Sequence, residues 1–222
     1  MIPLRDTIPS GRVPVVNYAI IAGNLLVFGY EVSLGGRQAD AFIMRWGLVP
    51  RHFALANLLT SMFLHGGWLH VLGNMLYLYI FGDNVEDRLG HLRYLLFYLL
   101  CGCAAGGAQA LSGPDSNVPM VGASGAIAGV SGAYFLFFPG ARVVTLVPIF
   151  FFLQVIEVPA VIFLLIWFLG QLMLGLAALG SHAGAGGVAF WAHVGGFVAG
   201  MVLGPTLRVR PPAPRWARAG VN

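Results

Sequence analysis

The apolar run over residues 161–179 is long enough to cross a bilayer, and comparable hydrophobic segments continue along the chain to residue 204. Hydrocarbon offers no water to satisfy backbone N–H and C=O groups, so only helices and closed barrels span it. Runs of this length, rather than ten-residue alternating segments, select helices. Composition agrees. Of 222 residues, 58% are hydrophobic and 9% charged, against about a quarter charged in ordinary soluble domains. The length leaves no room for a separate soluble domain of normal size.

The expected fold is therefore all-α: a polytopic membrane protein with six transmembrane helices. They fall at roughly 14–30, 69–81, 91–111, 121–138, 159–179 and 188–203, the second beginning earlier, near Ala56. Residues 1–13 read as a cytoplasmic N-terminus, 14–204 as the helical domain and 205–222 as a Pro/Arg-rich cytoplasmic tail. Residues 31–64 form a long first loop, of the kind that is usually structured or functional. The stretch 143–156 contains Pro148 and is followed by Pro159. It is short for a span and reads as a loop or interfacial segment, an extra span being the alternative. Arg5 and Arg12 precede the first apolar stretch as in a signal sequence. A cleaved signal is followed by a polar chain, so this segment is expected to stay as a span.

The net charge of +4 does not point to nucleic acid, because the basic residues cluster on nothing foldable. They follow membrane orientation instead. With both termini cytoplasmic, Arg5, Arg12, Arg88, Arg93, Arg142, Arg208, Arg210, Arg215 and Arg218 lie inside, and Arg37, Arg45 and Arg51 outside, as the positive-inside rule requires. Cys101 and Cys103 are too sparse for a metal site or a disulfide framework and read as packing residues.

Glycines concentrate in the fourth and sixth spans. Gly125/Gly129 and Gly196/Gly200/Gly204 are small-x-x-x-small ladders that let helix backbones approach closely, so these two spans are expected to pack together. Polar groups at membrane depth are functional candidates by default. Here they are His65, His70, Asn74, Ser124 and His193, with Gln109, Ser131 and Gln171 as weaker cases. His70 and Asn74, four apart, share a helix face. If the ladders bring the fourth and sixth spans together, Ser124 meets His193. A serine hydroxyl needs a neighbouring base to become a nucleophile, and histidine serves best near neutral pH. The Ser124 N–H, the Asn74 amide and the His70 imidazole are suitable donors for an oxyanion. No carboxylate is placed to orient His193, so a dyad fits better than a triad.

At these residues the sequence resembles the rhomboid family. The segment from Leu59 through His65 and His70 to Asn74 is similar to its H-x-x-x-N region, and Gly122-Ala-Ser124-Gly125 to its G-x-S-G motif. Ala192-His193-Val-Gly-Gly196-Phe-Val-Ala-Gly200 resembles its A-H-x-x-G-x-x-x-G helix, and Glu86-Asp-Arg88 its E-x-R turn. The resemblance implies an intramembrane serine endopeptidase without metal or cofactor. Ser124 would be the nucleophile and His193 the base, with His70, Asn74 and the Ser124 N–H in the oxyanion hole. Glu86 and Arg88 would stabilise the turn after the second span, and His65 would brace the first loop. Substrates would be single-pass membrane proteins in the lipid bilayer, and the expected location is a bacterial inner membrane. Two departures stand out. The aromatic that members often carry four residues after the nucleophile is Ala128, and the first-loop Trp-Arg pair of some members falls at Ala56-Asn57.

Two other readings compete. An inactive relative that binds membrane clients would lose the Ser or the His, and this chain keeps both. A small transporter would show repeated halves, and none is found. A metalloprotease lacks its H-E-x-x-H here.

Overall fold

A computed structural model describes residues 1–149, 152–180 and 188–209. Of the expected tail over 205–222, residues 205–207 instead complete the last helix and Arg208 and Val209 follow it, while 210–222, with Arg210, Arg215 and Arg218, lie outside the described residues. The helices in chain order are α1 (Val15–Leu34), α2 (Gly36–Trp46), α3 (Leu55–Thr60), α4 (Trp68–Leu89), α5 (His91–Ser112), α6 (Ser124–Phe137), α7 (Ala160–Gly180) and α8 (Phe190–Leu207). The strands are β1 (Ile2–Asp6), β2 (Arg142–Ile149) and β3 (Phe152–Pro159).

The six expected spans correspond to α1 and α4 to α8, and the polytopic helical membrane fold stands. Four of them, α1, α5, α7 and α8, are long and apolar enough to cross a bilayer by themselves. Helix α4 has 22 residues but carries Asp83, Glu86, Asp87 and Arg88 in its last two turns. Helix α6 has only 14 residues, about 21 Å at 1.5 Å each, against ~30 Å of hydrocarbon. It tolerates this because it is the central helix. Gly125 through Tyr134 are all buried, and α6 packs on α4, α5 and α8 rather than on lipid.

The α6–α8 seam is built as the glycine ladders imply. A Cβ on Gly196 would collide with the Gly125 carbonyl, one on Gly200 with the Gly129 carbonyl, and one on Gly132 with the Phe197 carbonyl. Backbone meets backbone at these three crossings, and at Gly204 the Ala133 methyl takes over.

Two expectations need correction. The second span does not begin near Ala56. Helix α3 is separate, a 3₁₀ turn over Ser61–Phe63 follows it, and α4 starts after Gly67 at φ 155°, where a side chain would be strained. Within 143–156 the described residues, 143–149 and 152–156, are strand rather than loop or span. They pair antiparallel, with Arg142 opposite Pro159 and Ile149 opposite Phe152, and β1 adds a third strand on the β2 edge. Both strands, β2 and β3, are rich in β-branched residues, including Val143, Val144, Thr145, Val155, Ile156 and Val158, which favour a pleated surface. Pro159 closes β3, where a proline interrupts no ladder.

Arg5, Arg12, Arg88, Arg93, Arg142 and Arg208 all lie at the sheet end. Val209 N–H bonds the Arg88 carbonyl, the Arg93 guanidinium reaches the Leu207 carbonyl, and Gly11 N–H reaches Asp87. Arg37, Arg45 and Arg51 lie at the opposite end, where Leu48 pairs with Met120 and Arg51 N–H bonds the Ser116 carbonyl. Among the described residues, six of the nine arginines expected on one side and all three expected on the other thus fall at opposite ends.

Candidate active site

Ser124 is the first residue of α6, so its N–H has no acceptor within the helix. Its hydroxyl lies 2.8 Å from Nε2 of His193, in the first turn of α8. The other ring nitrogen, Nδ1, lies 2.6 Å from Oε1 of Gln171 on α7. An amide oxygen only accepts, so Nδ1 carries the proton and Nε2 is left free to accept from Ser124. This is the tautomer that a general base requires. Gln109 on α5 holds the start of α8 in place, its Oε1 accepting the Ala192 N–H at 3.2 Å.

A second polar group borders Ser124. His70 and Asn74 stand on one face of α4 and converge on Gly122, two residues before Ser124. A Cβ at Gly122 would come within 2.7 Å of the His70 ring and 3.5 Å of Asn74 Nδ2. Gly122 also sits at φ 121°, so glycine is required there twice over. Asn74 Nδ2 lies 3.0 Å from Nε2 of His65, whose ring packs edge-on against His70. The backbone N–H of His65 donates to both Glu31 oxygens, at 3.3 and 3.1 Å. Beyond the first loop, then, His65 also holds Asn74, and α1 holds His65. One N–H of Asn74 is engaged, leaving the other available.

Beside Ser124 a cavity of ≈10 Å³ is lined by Met62, Gly102, Ala105, Met120 and Ala126, among others. It has room for about one water. Depth follows from helix geometry. Nine residues separate Gln171 from the end of α7, so the site lies about 14 Å inside that helix end.

Glu86 and Arg88 stand at the other end. Glu86 accepts the N–H groups of Val16 (3.0 Å) and Asn17 (2.7 Å) at the start of α1 and pairs with His91 (2.5 Å) at the start of α5. Arg88 stacks on Phe138 at 4.8 Å. They join α1, α4 and α5 to the sheet end, a wider role than one turn.

Sequence reasoning ranked Gln171 low and overlooked Trp167, whose ring lies 5.7 Å from that of His193. A signal was present: Gln171 is the one polar side chain in the 21 residues of α7. An unpartnered amide in lipid is unfavourable, so it had to find a partner.

Fold and site together define a polytopic helical membrane protein with a serine–histidine pair set within the bundle. Residues 52–210 match the Rhomboid domain family, and the chain belongs to that family. It is similar to RHOMBOID-like protein 4 of Arabidopsis thaliana, 34% identical over 70% of this chain and 34% of that protein. It is also similar to the chloroplastic Rhomboid-like protein 11 of the same plant, 35% identical over 45% of this chain and 37% of the relative. Rhomboid protease GluP of Bacillus subtilis is 33% identical over 54% of this chain and 24% of the relative. The chain thus spans between about a quarter and two-fifths of the length of these relatives.

Proposed function

We propose that this protein is an intramembrane serine endopeptidase acting through Ser124 and His193 on transmembrane segments of single-pass membrane proteins. The observation that carries the reading is the 2.8 Å contact between Ser124 Oγ and a His193 ring whose tautomer is fixed by Gln171. His193 Nε2 takes the Ser124 proton as Oγ attacks the scissile carbonyl. The same ring then returns the proton to the leaving amine. The Ser124 N–H, the free N–H of Asn74 and the His70 imidazole are the donors for the oxyanion. No step calls for a metal or a cofactor. Membership of a family that includes a protein named a rhomboid protease supports the reading, as does the depth of the site within lipid-spanning helices.

The membrane is less specified. The relatives divide between plant proteins, some chloroplastic or mitochondrial, and Bacillus subtilis proteins, and do not favour a bacterial inner membrane.

The test is to incubate the purified chain in detergent with a model transmembrane substrate and map the cut. Cleavage is expected to persist in EDTA and to fall at acid pH, where protonated His193 no longer accepts from Ser124. Ser124→Ala should abolish cleavage with an unchanged thermal midpoint. Cleavage by Ser124→Ala at a comparable rate would move the nucleophile to Ser131 or elsewhere, and activity lost to chelation and restored by zinc would end the dyad reading.

A further inference from the structure

Helix α7 meets α8 along one narrow face. Trp167, Gln171 and Gly175 recur every four residues on it. Gly175 lets Trp191 and Phe190 of α8 close in, since a Cβ there would meet them at 3.3 and 3.4 Å. One turn back, Gln171 Oε1 takes Nδ1 of His193, and one turn further the Trp167 ring lies tilted against the His193 ring. Trp167 is itself backed by Phe197, at 6.3 Å, and Phe168 stacks on Phe197 at 4.7 Å. The opposite face of α7 is exposed apolar surface, with Ile162, Leu165, Ile166, Leu169 and Met173 outward. The helix that faces lipid most fully therefore carries both side chains that seat the base.

An imidazole presented to a serine has two ways to fail: the proton sits on the wrong nitrogen, or the ring turns about its χ2 bond. Helix α6 prevents neither. Ala128, one turn after Ser124, offers no ring to pack on His193. Among the described residues no carboxylate bonds His193; the two hydrogen-bond partners of its ring are Ser124 and Gln171. Gln171 answers the first failure by accepting at Nδ1, and Trp167 the second by covering one ring face.

We propose that Gln171 and Trp167 are positioning residues for His193, so that α7 supplies a third, neutral member of the catalytic arrangement. The inference rests on the protease reading above. Unlike a carboxylate, an amide oxygen fixes the tautomer without strongly favouring the imidazolium. This difference provides the test.

The full chain, reconstituted with a model transmembrane substrate, is assayed across pH as wild type, Gln171→Leu, Gln171→Glu and Trp167→Ala. Ser124→Ala serves as the control. Gln171→Leu is expected to lower kcat about tenfold or more, the equivalent of about 1.4 kcal/mol in barrier, with KM nearly unchanged. It should also slow fluorophosphonate labelling of Ser124. Gln171→Glu should restore turnover at alkaline pH and move the acid limb of the profile upward by about one pH unit. Trp167→Ala should lower kcat with the limb in place. A wild-type kcat and profile in Gln171→Leu would overturn the proposal. If Gln171→Leu loses its unfolding transition, Gln171→Glu decides, and an unmoved acid limb overturns the proposal. Cleavage that vanishes with Ser124→Ala yet ignores every change at Gln171 removes this inference alone. A wild-type chain with no Ser124-dependent cleavage or labelling removes the protease reading itself.

Discussion

The bundle holds one polar cluster near each end, and they are built on opposite plans. At the sheet end the buried polar side chains of Glu86 and Asn17 are satisfied. The Glu86 carboxylate takes two backbone N–H groups and His91. Asn17 donates to the Leu78 carbonyl at 3.0 Å and accepts from the Tyr94 hydroxyl at 2.8 Å. At the Ser124 end donors are left over. Asn74 has one engaged N–H, Ser124 opens a helix with its N–H uncommitted, and His65 Nδ1 is buried without a partner among the described residues. Saturated polar groups rigidify a fold, whereas unsatisfied ones are unfavourable until a ligand meets them. The first cluster holds helices together. The second, on the proposed reading, is the set of donors that would meet the oxyanion.

Separating the two plans experimentally starts with Asn74. Removing one oxyanion donor lowers turnover by about 100- to 1000-fold, roughly 3–4 kcal/mol. Asn74→Ala is expected to show this loss while Ser124 still reacts with a fluorophosphonate, because the 2.8 Å pair with His193 stays intact. Wild-type turnover would show that His70 and the Ser124 N–H suffice. Loss of labelling together with folding would place Asn74 in the structural class, through its bond to His65.

Glu86→Ala probes the other plan and should do the reverse. Two N–H groups at the start of α1 would be stranded beside a residue that is 2% exposed. Leaving such donors unpaired destabilises by about 1–3 kcal/mol. The half-exposed His91 adds little, since screened pairs contribute under about 1 kcal/mol. The expected result is a lower thermal midpoint with kcat close to wild type at temperatures where the protein is folded. A loss of kcat in fully folded protein would erase the distinction between the clusters.

These clusters were unequally legible in the sequence. Ser124, His193, His70 and Asn74 stood out because a polar residue among apolar ones is conspicuous, and because Gly125, Gly129, Gly196 and Gly200 encode the seam that joins their helices. Glu86 was visible only through the E-x-R resemblance, since its partners are backbone N–H groups that no side chain announces. Gln171 was seen but ranked low, because its value depends on which face of α7 meets α8. The sheet was missed for a different reason. Prolines at 148 and 159 read as breakers of a short apolar segment, and they mask the β-branched content that favours strands. Pairing with residues 2–6, more than 130 positions away, leaves no local trace.

The smallest expected effect tests whether the sheet-end cluster is saturated in charge as well as in hydrogen bonds. Asp6, in β1, accepts from Asn84 at 3.0 Å and from the Tyr134 hydroxyl at 2.5 Å, and no ion pair to it is found among the described residues. Burial raises its carboxyl above the usual aspartate range, and the Tyr134 hydrogen bond opposes this only in part. A carboxyl raised in the folded state binds its proton more tightly there than in the unfolded chain. Its contribution to stability is therefore full below the unfolded pKa and is lost as pH rises through the folded one. Asp6→Asn keeps an acceptor oxygen and cannot ionise. The difference in stability between wild type and Asp6→Asn should therefore change with pH, wild type losing ground as pH rises above the ordinary aspartate value. The change should stay under about 1 kcal/mol, because the group is half exposed to screening solvent. Thermal midpoints of both proteins from pH 4 to pH 7 in one detergent measure it. A difference that is flat across this range would mean that Tyr134 and Asn84 stabilise the charge fully and the cluster is saturated in both senses. A difference that runs the other way would place an unrecognised cation beside β1.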